Sequence, residues 1–340
     1  MAQAHPNPSF FSVTLDLDAP GKHFGHIRIP HSRDEAGLGD LMVPLVSIKN
    51  GDGPCVLFLA GNHGDEFEGQ IALRNVAHDL DADGIKGHVI IVPALNLPAV
   101  LNNSRCSPID DKNMNRIFPG DRRGTITEKI ASYVHDELVQ RADIVVDLHA
   151  GGTNLSCLCY AMMHRYPNPA TSRAALELMK AFAVPYGVVF DTEPDRDGML
   201  DTAVEDLDKP FIALELGGSG AVSPRSIAIT TRGIRNVLAH TGVTAASIES
   251  GDAETEILGV PAQGFVMADD HGIFEPFVDL GDVVESGQVV GRMHSIHRPD
   301  RPPIDHRIKD GGVVVIRRTT GLTTHGDYLF VVGVPLDPGF

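Results

Sequence analysis

The sequence predicts an α/β fold, a mostly parallel mixed sheet with flanking helices, followed by a small all-β domain. Three observations carry this. Apolar runs at residues 55–60, 88–94, 144–148 and 211–216 read as buried strands, the first of them covered on both faces. Between them lie stretches with helical spacing, and alternating buried strands and helices indicate a parallel sheet. Past Gly242 the helical patterns vanish and short strands and turns take over. The expected division is an α/β domain at 1–245, with an N-terminal β extension, and a small β domain at 250–340.

Each element follows in order. The first fifty residues read as short strands at 12–17, 26–29 and 42–48. After the run at 55–60, residues 66–80 carry Phe67, Ile71, Leu73 and Val76 at helical intervals. The strand at 88–94 leads into a loop rich in Asn, Asp and Pro, residues 96–123. Residues 127–140 form the next predicted helix, with Thr127 as its cap and Ile130, Val134 and Leu138 on one face. Strands follow at 144–148 and 156–163, then a helix at 171–183 with Thr171 as cap. A strand at 187–190, a short helix at 198–206 and a strand at 211–216 come next. The helix at 223–240 has Pro224 in its first turn, where the missing N–H costs nothing. Beyond it, residues 272–284 and 312–317 read as strands and turns.

Bulk properties narrow the function. The formal net charge of −17 argues against a nucleic-acid partner, which needs a basic footprint. No uninterrupted apolar stretch approaches membrane-spanning length, so no membrane partner is expected. The first eleven residues lack the basic and apolar regions of a signal peptide, and four cysteines suit a reducing compartment, so a cytoplasmic protein is expected. Cys157 and Cys159 read as apolar strand thiols rather than metal ligands. The oligomeric state stays open, a homo-oligomer included.

In open α/β sheets, ligands bind at the carboxyl ends of strands. Three buried strands end in reactive residues. The first runs into Asn62-His63-Gly64-Asp65-Glu66, the second into His149-Ala150-Gly151-Gly152, the third into Glu215-Leu216-Gly217-Gly218. His63, Glu66 and His149 make a two-His-one-Glu set, an arrangement that holds catalytic zinc. Glu215 is left to carry a proton between water and a leaving amine. Asp147, two residues before His149, has two even readings: it orients that imidazole, or it points back into a strand network. In the loop at 105–120, Asn115 and Arg116 suit a substrate carboxylate, and Arg105 suits a developing oxyanion.

Each feature has a plainer reading. Asp65 and Glu66 could favour a helix N-terminus. His149 could be a structural residue and Glu215 a strand-end carboxylate paired with Arg. The other histidines are taken as surface or structural, and His164 and His271 have no matched partner in the sequence. Three separate strand ends each supplying a needed group favour the zinc site. In the last part, Asp279 to Gly291 resembles a biotinyl or lipoyl half-barrel, but no Lys sits at a hairpin tip and no carried cofactor is expected. Its expected role is structural, or to narrow the mouth of the pocket.

The motifs His63-Gly64-Asp65-Glu66, Asn115-Arg116-Ile117-Phe118-Pro119-Gly120, Asp147-Leu148-His149 and Glu215-Leu216-Gly217-Gly218 stand in the order found in the succinylglutamate desuccinylase/aspartoacylase family. The chain resembles that family, whose fold is zinc carboxypeptidase-like, over about residues 50–240. The resemblance implies one zinc on His63, Glu66 and His149, Glu215 as general base and acid, Asn115 and Arg116 on the substrate carboxylate, and Arg105 at the carbonyl oxygen.

The expected activity is therefore deacylation of a small N-acylated amino acid. An N-acetylated diamino acid, N-alpha-acetyl-L-2,4-diaminobutyrate first, is the expected substrate. The acids Glu193, Asp195 and Asp197 would suit a cationic side chain. Arg196 is the candidate for binding a second carboxylate. The alternatives are a deacylase of N-acyl acidic amino acids, a carboxypeptidase, and a non-enzymatic zinc-stabilised protein.

Overall fold

In a computed structural model that describes residues 11–190, 196–337 and 339, the apolar runs form the middle of one large sheet. The strands are β1 (Ser12–Val13), β2 (Gly21–Pro30), β3 (Asp40–Asn50), β4 (Cys55–Ala60), β5 (Gly87–Val92), β6 (Ile144–His149), β7 (Leu155–Cys157), β8 (Tyr160–Met163), β9 (Tyr186–Val189) and β10 (Phe211–Glu215). Their order across the sheet is β1-β2-β3-β5-β4-β6-β10-β8-β9. The central pairs β5–β4, β4–β6, β6–β10 and β8–β9 are parallel; β3, and β8 against β10, run antiparallel. The alternation read from the sequence thus yields the expected mixed sheet.

Side chains of β4 show how the sheet is covered. Leu57 and Leu59 enter one core and Val56, Phe58 and Ala60 the other. All five are 0 % exposed, and burying each of the large ones contributes on the order of 1.5–3 kcal/mol. The helices are α1 (Glu68–Asp79), α2 (Leu97–Asn102), α3 (Ile126–Tyr133), α4 (Pro169–Phe182), α5 (Leu200–Glu205) and α6 (Pro224–His240). Residues of α1, α4 and α6 fill the core on the Phe58 face; residues of α3 and α5 fill the core on the Leu57 face.

Several predicted boundaries move. The first helix starts at Glu68, so Glu66 lies in the turn before it and is free to aim sideways. Residues 96–123 are not all loop: α2 forms there with Pro98 in its first turn. Thr127 does not cap α3. Thr125 does, its N–H donating to Glu128 Oε2 at 2.7 Å, while Thr127 Oγ1 donates to Asp110. The helix continues as a wider π-type turn, Val134–Val139. Asn168, not Thr171, caps α4 by accepting from Ala170 N at 3.0 Å, ahead of Pro169. The single strand expected at 156–163 is two, because β7 leaves the line of β8 to pair elsewhere.

The last quarter contains β11 (Glu256–Gly259), β12 (Phe265–Met267), β13 (Gly272–Pro276), β14 (Val283–Val284), β15 (Val289–His294), β16 (Ile304–Arg307), β17 (Gly312–Arg318), β18 (Leu322–Thr323) and β19 (Tyr328–Pro335). One group, β16-β15-β13-β18, is a separate antiparallel sheet. The other group continues the large sheet past β9 as β11-β19-β17-β14. In addition β17 pairs with β7, setting Ile316 opposite Cys157. Among the described residues, no helix is long and apolar enough to cross a membrane. The first ten residues of the stretch read for a targeting signal, and the acids Glu193 and Asp195, lie outside the described residues.

Candidate metal and active site

Parallel register assembles the site. Glu215, the last residue of β10, stands opposite His149, the last residue of β6, and Ala60 of β4 stands opposite Leu148. All three strands therefore finish at one rim. Past Ala60 the chain turns through Asn62 and His63 beneath α2. Gly64 N donates to Ser104 O at 2.9 Å, and a Cβ on Gly64 would lie 2.0 Å from the carbonyl carbon of Ala99. Only glycine permits that approach, and it fixes where the neighbouring His63 points.

His63, Glu66 and His149 are buried and meet in the rim. Glu66 Oε1 lies 2.8 Å from His63 Nδ1, and Oε2 lies 2.9 Å from His149 Nδ1. One ligand atom from each falls within 4.8 Å of the others; among the described residues this is the one group of three such side chains able to hold a metal ion. The far side of each ring is also held. His63 Nε2 lies 3.1 Å from Asn113 Oδ1, and His149 Nε2 lies 2.8 Å from Asp147 Oδ2. Asn62 Nδ2 donates to the same Asp147 oxygen at 3.2 Å. The two readings of Asp147 merge: it faces His149 and is itself tied into the strand ends. Metal-ligating histidines commonly have their second nitrogen fixed in this way.

The charges in this cluster respond to one another. Burial works against ionising Glu66, but the two imidazoles override it and hold the carboxyl below its usual range. Burial also opposes charge on His149, yet Asp147 and Glu66 carry that imidazole well above its ordinary value. His63 is lowered, chiefly by burial. Glu215 is pushed up to about 8 by burial and then by the Glu66 carboxylate. Its Oε2 is enclosed without a hydrogen-bond partner, and the neighbouring Cys157 side chain favours the charged form. A carboxyl poised near neutrality in a pocket can take up and release a proton.

Arg105 and the Asn115–Arg116 pair reach the same pocket from the loop after α2, together with Met199, Asp201, Phe211 and Ile316. Arg105 Nη1 lies 3.4 Å from His63 Nδ1 and 3.6 Å from Glu66 Oε1. Asn115 is 8 % exposed, and its Oδ1 accepts from Leu200 N at 2.9 Å, which leaves its amide N–H₂ to donate. Arg116 is exposed at the mouth, with Nη1 donating to Asn115 O at 2.6 Å. The seven residues to which the family resemblance gives a role thus line one pocket.

Other expectations fare differently. Arg196 does not offer a second carboxylate site: its guanidinium pairs with Glu205, whose other oxygen lies 2.7 Å from His164 Nδ1. His164 therefore has the partner that the sequence did not supply. Asp197 is exposed; the acid of this segment that lines the pocket is Asp201. Cys157 packs in the core on the Leu57 face, and Cys159 packs against the core on the Phe58 face. Sequence reasoning missed Asn113, Cys157 and Asp201. Asn113 had a signal, two residues before the singled-out Asn115; a strand cysteine and a helical Asp had none.

Residues 52–241 match the profile of the succinylglutamate desuccinylase/aspartoacylase catalytic domain. An N-alpha-acetyl-L-2,4-diaminobutyric acid deacetylase of Halomonas elongata is 41% identical over 326 residues, 96% of this chain and 95% of that protein. Among solved structures, the product-bound ectoine utilization protein EutE (DoeB) of Ruegeria pomeroyi superimposes with a TM-score of 0.93 at 42% identity, covering 97% of this chain and 100% of that one. A succinylglutamate desuccinylase/aspartoacylase of Rhodobacter sphaeroides gives 0.92 at 35% identity, covering 97% and 100%. The profile spans more than half of the chain and the relatives nearly all of it, so the chain belongs to the succinylglutamate desuccinylase/aspartoacylase family.

Proposed function

We propose that this protein is a zinc-dependent deacylase that hydrolyses N-alpha-acetyl-L-2,4-diaminobutyrate to diaminobutyrate and acetate. One observation carries the reading: the two-His-one-Glu set, the poised Glu215 and the Asn115–Arg116 pair line a single pocket. Similarity to the Halomonas deacetylase and to the Ruegeria ectoine utilization protein supports the substrate and a place in ectoine degradation. The four cysteines carry no disulfide, which fits the cytoplasm.

The residues fit zinc. Two imidazole nitrogens and a carboxylate oxygen, each ring fixed from behind, are the donor set of catalytic zinc sites with one open position. Zinc held by these residues would supply Lewis-acid chemistry to the amide carbonyl and to the attacking water.

The chain's own residues do the rest. Asn115, through its amide, and Arg116, through its guanidinium, bind the α-carboxylate and set the acyl group toward His63 and His149. Arg105, beside Glu66, adds positive charge where the carbonyl oxygen becomes negative. Glu215 takes the proton of the attacking water on its unpartnered Oε2 and returns it to the departing amine.

Metal analysis of the purified protein, followed by hydrolysis of a panel of N-acyl amino acids, tests this. The expected result is about one zinc per chain and selective release of acetate from N-alpha-acetyl-L-2,4-diaminobutyrate. Absence of both zinc and hydrolysis across the panel overturns it.

A further inference from the structure

We infer that Asp201 determines specificity by accepting the side-chain ammonium of the substrate; the inference rests on the deacylase reading above. The argument begins with a charge inventory. Four carboxylates line the pocket: Glu66, Asp147, Asp201 and Glu215. Glu66 belongs to the metal set, Asp147 is bound to His149, and Glu215 carries the proton. The reaction itself uses three, and Asp201 is the fourth. The basic side chains Arg105 and Arg116 are both committed to oxygen atoms that every N-acyl amino acid possesses. No further Lys or Arg lines the pocket among the described residues, so an acidic side chain meets no cation while a cationic one meets a carboxylate.

Position supports the assignment. Phe211, Ala213 and Glu215 alternate along β10 and face the pocket together, with Glu215 at the rim and Phe211 two steps farther in. Helix α5 packs on this strand and carries Asp201, which is 4 % exposed. Asn115 Oδ1 bonds Leu200 N, so the group that binds the α-carboxylate is fastened one residue away from Asp201. Gly198 secures the same junction: its φ is +78°, its carbonyl accepts from Phe118 N at 2.9 Å, and a Cβ there would lie 2.4 Å from Arg116 O. The α-carboxylate clamp and Asp201 thus move as one unit, a fixed ruler for an amino acid with a short charged side chain. Asp201 Oδ1 accepts from Thr202 N at 2.5 Å, and Oδ2 lies 3.9 Å from His164 Nδ1. The carboxylate is therefore held in place before substrate arrives.

The test compares kcat/KM for N-alpha-acetyl-L-2,4-diaminobutyrate with that for N-acetyl-L-norvaline, which replaces the ammonium by a methyl group, in the zinc-loaded protein and its variants. The parent should favour the cationic substrate by at least ~10-fold, and Asp201→Asn should lower that ratio by ~10-fold or more, as expected for a charge-assisted hydrogen bond. Asp201→Glu should keep most of the preference. Asp201→Ser removes the same charge from a smaller side chain and serves the comparison if Asn does not fit. Equal losses on both substrates in these variants would assign Asp201 a structural role and overturn the inference. A parent that hydrolyses both substrates equally overturns it as well. A parent without zinc or any hydrolysis instead overturns the deacylase reading beneath it.

Discussion

Replacing Glu215 by Gln separates proton transfer from everything else the pocket does. Gln keeps the shape and places a neutral group where Oε2 lies enclosed. General acid–base catalysis is worth roughly 10²- to 10⁴-fold, so turnover should fall by that factor, about 3–5 kcal/mol of barrier, with bound metal unchanged. A second effect belongs to the metal-free protein. Glu215 titrates at about 8 in the folded chain, against an ordinary 4.5, because burial and Glu66 oppose its charge. Its contribution to stability is complete below about 4.5 and disappears as pH rises through about 8. Over that window the parent should lose roughly 1 kcal/mol per pH unit from this group, and the Gln variant should not. Amine release gives turnover, elemental analysis gives metal content, and denaturant unfolding of chelator-treated protein at several pH values gives the slope. Turnover within about fivefold of the parent, with metal retained, would refute the role of Glu215.

Asp147→Asn should weaken metal binding roughly 10- to 100-fold in a chelator competition, since Asp147 orients His149 from 2.8 Å. Cys157→Ala removes a neighbour that favours the Glu215 carboxylate, so the acid limb of the kcat/KM pH profile should move upward. Gly233→Ala places a Cβ 2.0 Å from Phe182 Cε1 where α6 crosses α4, and should cost about 1–3 kcal/mol in denaturant unfolding without changing metal content.

Some of this was legible from residues alone because the physics is local. The run at 55–60 is apolar at every position, as a strand covered on both faces must be, and the reactive residues follow such strands directly. His63, Glu66, His149 and Glu215 could be found because parallel strands finish together at one rim. The cap of α3 was misplaced because Thr125 and Thr127 both fit the local pattern; only the reach of Glu128 back to Thr125 N, with Asp110 taking Thr127, decides between them. Asp201 was hidden for a different reason. An Asp in the first turn of a short helix looks like any helix-start acid until Leu200 N is seen tied to a residue 85 positions earlier. The pairing of β17 with β7 joins segments that no sequence period connects.

That last pairing has a practical consequence for anyone who would shorten or recombine the chain. The family match stops at residue 241, yet the strand carrying Cys157, which lines the pocket with Glu215, has β17 as its neighbour. A protein cut after α6 would expose the backbone of β7 next to the reaction chamber, an open edge that invites association with other chains. It would also strip Ile316 from the chamber wall. Chimaeras within the family should therefore exchange β7 and β17 together, as a matched pair, rather than swap the front and back of the chain as independent cassettes.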